Sequence, residues 1–193
     1  LYDRGDWAAD HDLANESLEQ LLRDAPGSAL ANPARLLLAR RHMRKRELDK
    51  AQAYLGTAAR EGNRGEKSKA ALLSAYAILY SASHSAEETY EAFRRVANDP
   101  EVSPEDRLDA MLRVGAKAHQ LQWLPSAWLA YSQMEEAFES PKVIGFARVQ
   151  KAGLAFEWVS RGVGSWEETR RLCEAVMDRQ AVPLELRATA ELM

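Results

Sequence analysis

Four histidines and one cysteine are the residues of this sequence best suited to catalysis or metal binding. They are His11, His42, His84, His119 and Cys173. No histidine belongs to a His-Glu-x-x-His sequence, and none shares a helix face with a second histidine and a carboxylate at metal-ligand spacing. A single cysteine cannot form an internal disulfide, and on an apolar helix face a lone thiol is usually a small core residue. Because no paired groups could act as nucleophile, acid or base, the sequence predicts no enzyme, metal site or cofactor.

The segment Gly62–Ser68 (GNRGEKS) resembles a phosphate-binding loop only in part. Such a loop needs Gly, four further residues and then Gly-Lys-Ser or Gly-Lys-Thr, directly after a strand. Here Gly65 is followed by Glu66, and the preceding segment has a helical pattern. We therefore interpret the segment as an ordinary loop between helices.

The most concentrated charge lies in Arg40–Arg46, which reads RRHMRKR. Residues 35–69 carry 11 basic and 4 acidic residues, net +7, in a chain whose net charge is −3. Cations near a helix C-terminus meet its partial negative charge, so the first interpretation is a solvated, helix-capping face. Two alternatives stay open: a contact for an acidic protein segment, and a nucleic-acid contact or targeting signal. The absence of an aromatic ladder argues against a single-strand binder, and the negative net charge argues against a protein built mainly to hold phosphate backbones.

Length and composition are those of a globular protein. The chain has 193 residues, of which 46% are hydrophobic and 28% charged, and no apolar run approaches the roughly 20 residues of a membrane span. The first residues, LYDRGDWAADHD, lack an initiator Met and the pattern of a secretory signal, and the chain stops within the helix-like LELRATAELM. We therefore expect a piece of a longer protein, and its compartment stays open between cytoplasm and periplasm.

A three-residue pattern recurs along the chain. A small residue is followed four positions later by a bulky one, and three positions after that by an apolar or small one. The copies are Ala14-Leu18-Leu21, Ala51-Leu55-Ala58, Thr89-Phe93-Val96, Ala127-Tyr131-Met134 and Thr169-Cys173-Val176. Their first members are 37, 38, 38 and 42 residues apart. Because i, i+4, i+7 spacing marks one face of a helix, one helical face recurs once per unit.

Helix-breaking residues follow each copy, and a second helix fits before each later copy. We predict helices at about 6–24, 33–45, 47–61, 66–82, 86–97, 104–120, 124–139, 142–161 and 165–180, with another starting at about 184. Ser103-x-x-Asp106 and Ser165-x-x-Glu168 have the form of a capping box. No segment shows the period-two alternation of a strand, so the sequence predicts an all-α chain.

The repeat resembles the tetratricopeptide (TPR) family. That family has a bulky-Leu-Gly-aromatic pattern on a first helix, then Ala, an aromatic residue and Ala on a second, followed by Pro. Alignment on the second-helix triad places the first-helix pattern on Leu38-Ala39 with His42, Tyr76-Ala77 with Tyr80, and Val114-Gly115 with Ala118. The units are longer than the family's standard, and Thr or Cys replaces some expected residues. Divergent bacterial arrays are similar in this respect.

The resemblance covers nearly the whole chain and implies one domain, 1–193, folded as a right-handed α-α superhelix of about ten antiparallel helices. Its units fall at approximately 1–27, 28–65, 66–102, 103–141 and 142–183, with a partial unit at 184–193. In such an array neighbouring helix pairs stack and share a continuous core. Ala39, Ala77 and Gly115 are expected to let paired helices approach closely, and Leu55, Phe93 and Tyr131 to fill the gap to the next pair.

The resemblance also implies a function, that of a non-catalytic scaffold whose first helices line a concave groove for a peptide or partner protein. Alignment gives the groove positions Leu36, Arg40, Met43, Arg44, Ser74, Ile78, Leu112, His119, Gln120 and Trp158, with Ser81, Ala116, Leu154 and Arg161 beside them. The expected ligand is an acidic or C-terminal peptide held by Arg40 and Arg44. The alternatives are a nucleic-acid-binding repeat that uses residues 35–69 and a helical arm of a larger enzyme. Self-association through the last helices is a further expectation.

Overall fold

The computed structural model describes residues 4–177, with side chains described for residues 13–175. Within residues 4–177 the chain forms nine helices joined by short connections, and no strand. The helices are α1 (Arg4–Asp24), α2 (Ala31–Arg44), α3 (Leu48–Glu61), α4 (Arg64–Tyr80), α5 (Ala86–Asn98), α6 (Pro104–Gln120), α7 (Leu124–Ala137), α8 (Pro141–Ser160) and α9 (Trp166–Met177). The all-α prediction is confirmed, and the predicted bounds of α2 to α8 lie within two residues of these. The helix predicted to start at about 184 lies outside the described residues.

Two compact units, Leu1–Arg107 and Leu108–Met193, divide the chain, and the boundary falls within α6. In the first unit α2 contacts α1, α3 and α4, and α4 contacts both α3 and α5. In the second unit α8 contacts α7 and α9. No helix within residues 4–177 is long and apolar enough to cross a bilayer.

The repeated triads form the buried faces of the second helices. Those of α3, α5 and α7 are buried throughout: Ala51, Leu55, Ala58, Thr89, Phe93, Val96, Ala127, Tyr131 and Met134. In α9, Thr169 and Cys173 are also buried, whereas the side chain of Val176 lies outside the described residues. In α1 the pattern is weaker, because Ala14 is exposed and only Leu18 and Leu21 are half-buried. The periodicity therefore identifies the inward face of the middle helices correctly.

Small residues on the first helices permit the close packing that was predicted for them. Ala39 and Ala77 are almost completely buried. A Cβ atom at Gly115 would lie 2.6 Å from Cε1 of Tyr131, so α6 and α7 approach at a distance that only glycine allows. Burial of one large apolar side chain at such a contact stabilises the fold by about 1.5–3 kcal/mol.

Three hairpin turns share one hydrogen-bonding geometry. Backbone N–H groups donate across them from Glu47 to His42 O at 2.9 Å, from Trp123 to Ala118 O at 2.8 Å, and from Val163 to Trp158 O at 2.8 Å. The residues with positive φ before these donors are Arg46 (63°), Gln122 (61°) and Gly162 (77°). This arrangement is a Schellman motif, which satisfies carbonyls at a helix C-terminus. His42, Ala118 and Trp158 therefore occupy equivalent places at the ends of α2, α6 and α8.

Helix starts only partly follow the predicted caps. Full capping boxes occur at two sites that were not predicted, Asn63 with Glu66 before α4 and Ser85 with Glu88 before α5. At Ser103 only half a box forms, because Oγ accepts from the backbone N of Asp106 while the Asp106 carboxylate bonds elsewhere. Ser165 Oγ accepts from the N of Glu167, one residue earlier than the predicted partner.

Candidate functional site

Arg40 and Arg44 lie one turn apart on the exposed side of α2. The helix itself is fixed by Leu38 and Ala39, which are fully buried. Neither arginine makes an ion pair with another residue of the described part of the chain. We call these two residues the arginine pair; it presents two guanidinium groups to solvent.

Other cations of residues 35–69 are engaged within the fold. Arg35, only 11% exposed, lies 2.9 Å from a carboxylate oxygen of Glu61. Arg46 donates from Nη1 to the carbonyl of Tyr80 at 2.7 Å, and its guanidinium lies 5.6 Å from the centre of that tyrosine ring. Lys69 pairs with Asp106. Part of the net +7 of this segment is thus used in structural contacts, while the arginine pair faces solvent.

His42 interrupts the basic segment because it is a packing residue. Its Nδ1 lies 2.6 Å from Oε2 of Glu47, and its ring stacks on Tyr54 with centroids 5.6 Å apart. The hydrogen bond with His42 is the main reason that the pKa of Glu47 lies below its usual value, with Lys50 adding to the effect. Because an ionised carboxylate only accepts, Nδ1 of His42 carries the proton. This bond ties the end of α2 to the start of α3.

The other residues of the first unit that were predicted to contact a ligand differ in how exposed they are. Met43 is 5% exposed and belongs to the core cluster with Leu55, so it presents almost no surface to a ligand. Leu36 is half-buried and packs against that same cluster. On α4, Ser74 and Ile78 are also half-buried, and the Ser74 hydroxyl donates to Ala70 O at 2.8 Å.

A half-open groove of about 730 Å³ lies in the second unit between α6 and α8, and we call it the α6–α8 groove. Its apolar walls are formed by Leu108, Leu112 and Ala116 of α6 and by Val143 and Phe146 of α8. Tyr131 and Met134 of α7 also line it, and both are almost fully buried. The predicted residue Leu112 and its neighbour Ala116 therefore share one cavity. Volume and lining are typical of a binding cleft.

Charged residues border the α6–α8 groove. Asp109 and Arg113 lie 3.7 Å apart, while Lys142 is exposed in the first turn of α8 and makes no ion pair with other described residues. That turn contains no acidic residue, and its N-cap Ser140 makes no side-chain capping bond. The α8 end of the groove is therefore positive.

Ion pairs and aromatic contacts hold α8 beside α7. Glu135 accepts from Arg148 Nε at 2.5 Å and from Lys151 Nζ at 2.7 Å. Lys151 Nζ also lies 4.8 Å from the centre of the Trp128 ring. Burial favours a higher pKa for Glu135, but the bonds from Lys151 and Arg148 outweigh it and the pKa is lowered. These contacts hold α8, which forms one wall of the groove, against α7.

The buried phenol of Tyr131 is the most strongly perturbed acid in the described part of the groove. Burial raises its pKa to about 12, so the hydroxyl remains protonated and neutral near pH 7. It can form part of an apolar surface or donate a hydrogen bond, but it adds no negative charge to the groove.

His119, Gln120 and Trp158 make contacts within the second unit. His119 Nε2 lies 2.7 Å from a carboxylate oxygen of Glu157, and Gln120 Oε1 accepts from Lys117 Nζ at 2.8 Å. The Trp158 ring lies beside that of Trp128, with centroids 5.3 Å apart and the ring planes tilted by 34°. The Schellman register places Trp158 at the position of His42 and Ala118, which are buried. It is thus in a packing position, as is Leu154, which is 1% exposed.

The polar cluster with the geometry closest to that of an active site lies at the start of α6. Ser68 Oγ donates to Asp106 Oδ2 at 2.6 Å, Lys69 bonds the other oxygen, and the N of Ser103 donates to Ser68 Oγ at 2.9 Å. Burial favours a higher pKa for Asp106, yet the bonds from Lys69 and Ser68 lower it. The Ser68 hydroxyl and the Lys69 ammonium both bond the Asp106 carboxylate, so the cluster links α4 to α6 structurally. Among the described residues no three His, Cys, Asp or Glu side chains are placed to hold a metal ion.

Sequence reasoning missed this cluster, although a signal for it exists. Ser68 and Asp106 are 38 residues apart, as are His119 and Glu157. That separation equals the repeat spacing. Each bond therefore joins equivalent positions on two helices that are one repeat apart, α4 with α6 and α6 with α8. Polar residues one period apart were therefore candidates for contact.

The comparisons with known proteins give no match: no family model, no curated protein and no solved structure is similar to this chain.

Proposed function

We propose that this protein is a non-catalytic scaffold, built as a TPR-like array of helical hairpins, that holds an acidic segment of a partner protein on the arginine pair. Three features support the array: the buried triads of α3, α5 and α7, the shared turn geometry at 42–47, 118–123 and 158–163, and the contact of α2 with both α3 and α4. A right-handed superhelix is the arrangement that such hairpins form when they stack regularly.

One observation supports the binding site. Arg40 and Arg44 are exposed, one turn apart, and without an ion pair among the described residues. Two guanidinium groups at this spacing match carboxylates one turn apart on a helix, or a side-chain carboxylate and a terminal carboxylate of an extended peptide. Leu36, one turn before Arg40, offers an apolar contact beside them.

Because both arginines are exposed to solvent, their ion pairs with an acidic peptide are expected to be weak. Each exposed ion pair contributes about 0.2–1 kcal/mol, so the arginine pair by itself supports specificity and fast association more than high affinity. We therefore expect micromolar rather than nanomolar binding for a short peptide, with a clear dependence on salt.

The test is a fluorescence-anisotropy titration with an array of labelled acidic decapeptides, each made with a free and an amidated C-terminus. Arg40→Glu/Arg44→Glu should weaken the binding of the selected peptides about tenfold or more. The matched control is Arg60→Glu/Arg95→Glu, which makes the same charge change at two exposed arginines whose bonds stay within their own helices. Equal affinities for wild type and both double variants would remove the proposal.

The nucleic-acid alternative is addressed with the same proteins. Duplex and single-stranded DNA of random sequence are titrated at physiological and low salt. Binding to DNA that falls steeply with salt and is lost in Arg40→Glu/Arg44→Glu would favour that alternative. The engagement of Arg35, Arg46 and Lys69 in structural contacts reduces the cation surface available for it.

A further inference from the structure

We propose that the α6–α8 groove is a second docking site, and that its occupant is an amphipathic helical segment of a partner protein carrying a carboxylate beside its apolar stripe. The site lies within the second unit and uses neither Arg40 nor Arg44. It therefore goes beyond the function proposed above and is tested separately.

The spacing of the wall residues favours a helix as the occupant. Leu108, Leu112 and Ala116 follow one another at i, i+4, i+8 on α6, while Val143 and Phe146 are spaced i, i+3 on α8. At 1.5 Å per residue the α6 wall is about 12 Å long, which is a little over two helical turns. Ridges at these spacings accept the i+3 and i+4 ridges of another helix.

The lining favours an apolar contact face on that helix. The walls of the groove are formed mainly by aliphatic and aromatic side chains, and the buried hydroxyl of Tyr131 stays neutral. The groove is half-open, so it can cover one face of an occupant while the opposite face remains in water. An amphipathic helix has these two faces, whereas a free acyl chain would leave much of its apolar surface exposed.

The charges at the border favour a carboxylate on the occupant. Asp109 and Arg113 lie close enough to compensate each other. Lys142 is exposed without an ion pair among the described residues, at a helix start that has no acidic side chain. A Glu or Asp of the partner next to its apolar stripe would meet this positive end.

The experiment selects ligands from a displayed library of helices of about 14 residues, in which the apolar and charged positions are randomised, against the whole chain. We expect selected sequences to have apolar residues at i, i+4, i+7 with an acidic residue near one end. Failure to enrich any such pattern, or enrichment of sequences that bind equally well after a central proline is introduced, would overturn the proposal.

Two pairs of variants locate the binding of a selected peptide. Ala116→Trp fills the groove from an exposed wall position and should weaken binding at least about tenfold, whereas Ala137→Trp makes the same change at an exposed position of α7 outside the groove. Lys142→Glu should weaken the binding of the acidic peptide. It should strengthen the binding of a peptide that has Lys in place of the acidic residue. Equal binding to Ala116→Trp and Ala137→Trp would refute the site.

Two further measurements distinguish this proposal from two alternatives, binding at the arginine pair and binding of a lipid chain in the groove. Arg40→Glu/Arg44→Glu should leave binding of the selected helix within about twofold of wild type; loss of binding in this variant would assign the helix to the arginine pair instead. Myristate is titrated as a competitor, and complete displacement of the helix at micromolar concentration would assign the groove to lipid chains and contradict the proposal.

Discussion

The ring of Tyr131 occupies the space that a side chain at Gly115 would need. A Cβ atom at Gly115 would lie 2.6 Å from both Cε1 and Cζ of the ring and 2.9 Å from its hydroxyl. The ring is almost fully buried and cannot move away without disturbing its neighbours. This contact sets the spacing of α6 and α7 and fixes Tyr131, which is one of the residues that line the α6–α8 groove.

We expect Gly115→Ala to destabilise the fold by about 1–3 kcal/mol, since an added methyl group overpacks a closed contact. Gly56→Ala in α3 is the matched control, because its nearest neighbouring atom is 3.6 Å away on the flexible Arg60 side chain. There the substitution should stabilise by about 0.5–1 kcal/mol through helix propensity. Urea denaturation followed by circular dichroism measures both. A stabilised Gly115→Ala variant would show that the two helices do not approach as described.

The carboxylate of Asp106 is predicted to stabilise the link between α4 and α6. It is 4% exposed and accepts from Ser68 and Lys69. Asp106→Asn should lower the free energy of unfolding by about 1–3 kcal/mol at pH 7, because buried partners lose a charged acceptor. Asp49→Asn, at an exposed position in the first turn of α3, should change it by less than about 0.5 kcal/mol.

The same carboxylate gives stability a defined pH dependence. Its pKa in the folded protein is lowered, so the unfolded chain binds the proton more tightly. The stabilisation is fully present above the unfolded pKa near 4 and is lost as pH falls through the folded pKa. The difference in unfolding free energy between wild type and Asp106→Asn should be constant from about pH 7 to 5 and shrink below about pH 4. A difference that stays constant to pH 3 would contradict the assigned contacts.

The thiol of Cys173 should react slowly in the native protein. It is buried in α9, and burial raises its pKa, with the charge of Glu174 adding to the effect. Only the thiolate reacts with iodoacetamide, so alkylation at pH 7.5 should be at least roughly tenfold slower in the native protein than in urea. Mass spectrometry of the intact chain follows the reaction. Equal native and unfolded rates would mean that this thiol is accessible.

Arg46 lies in the turn between α2 and α3, and its φ of 63° is unusual for a residue with a side chain. A β-branched residue is strained in this conformation and glycine is not. Arg46→Val should therefore be less stable than Arg46→Gly by about 1–2 kcal/mol. Both variants lose the bond to the Tyr80 carbonyl. The difference between their stabilities therefore reports the strain of the backbone at this position. Equal melting temperatures would show that the turn adopts another geometry.

Helix positions were predictable from sequence because the signals for them are local. Prolines at helix starts, glycine and asparagine breakers, and the i, i+4, i+7 pattern each act within one or two turns. Burial of Leu55, Phe93 and Tyr131 followed from the same periodicity. The capping boxes at Asn63 and Ser85 are local too; they were not predicted, although both sites have the Ser/Asn-x-x-Glu pattern.

Features that depend on contacts between helices were not predictable to the same degree. Met43 falls on a groove position by alignment, yet the three-residue turn brings α3 back so closely that the core cluster includes it. The Asp106 carboxylate does not complete the cap of its own helix; it accepts a hydrogen bond from Ser68, which is 38 residues earlier. The α6–α8 groove depends on the separation of two helices, which no short pattern encodes.

Charge reversal across the proposed contact tests the scaffold function most directly. An acidic peptide that binds wild type is compared with its counterpart in which each acid is replaced by lysine, using calorimetric titration against wild type and Arg40→Glu/Arg44→Glu. The proposed function predicts a switch: wild type binds the acidic peptide, the double variant binds the basic one, and each mismatched pair is weaker by about tenfold or more. Retained binding of the acidic peptide by Arg40→Glu/Arg44→Glu, with no gain for the basic peptide, would contradict it.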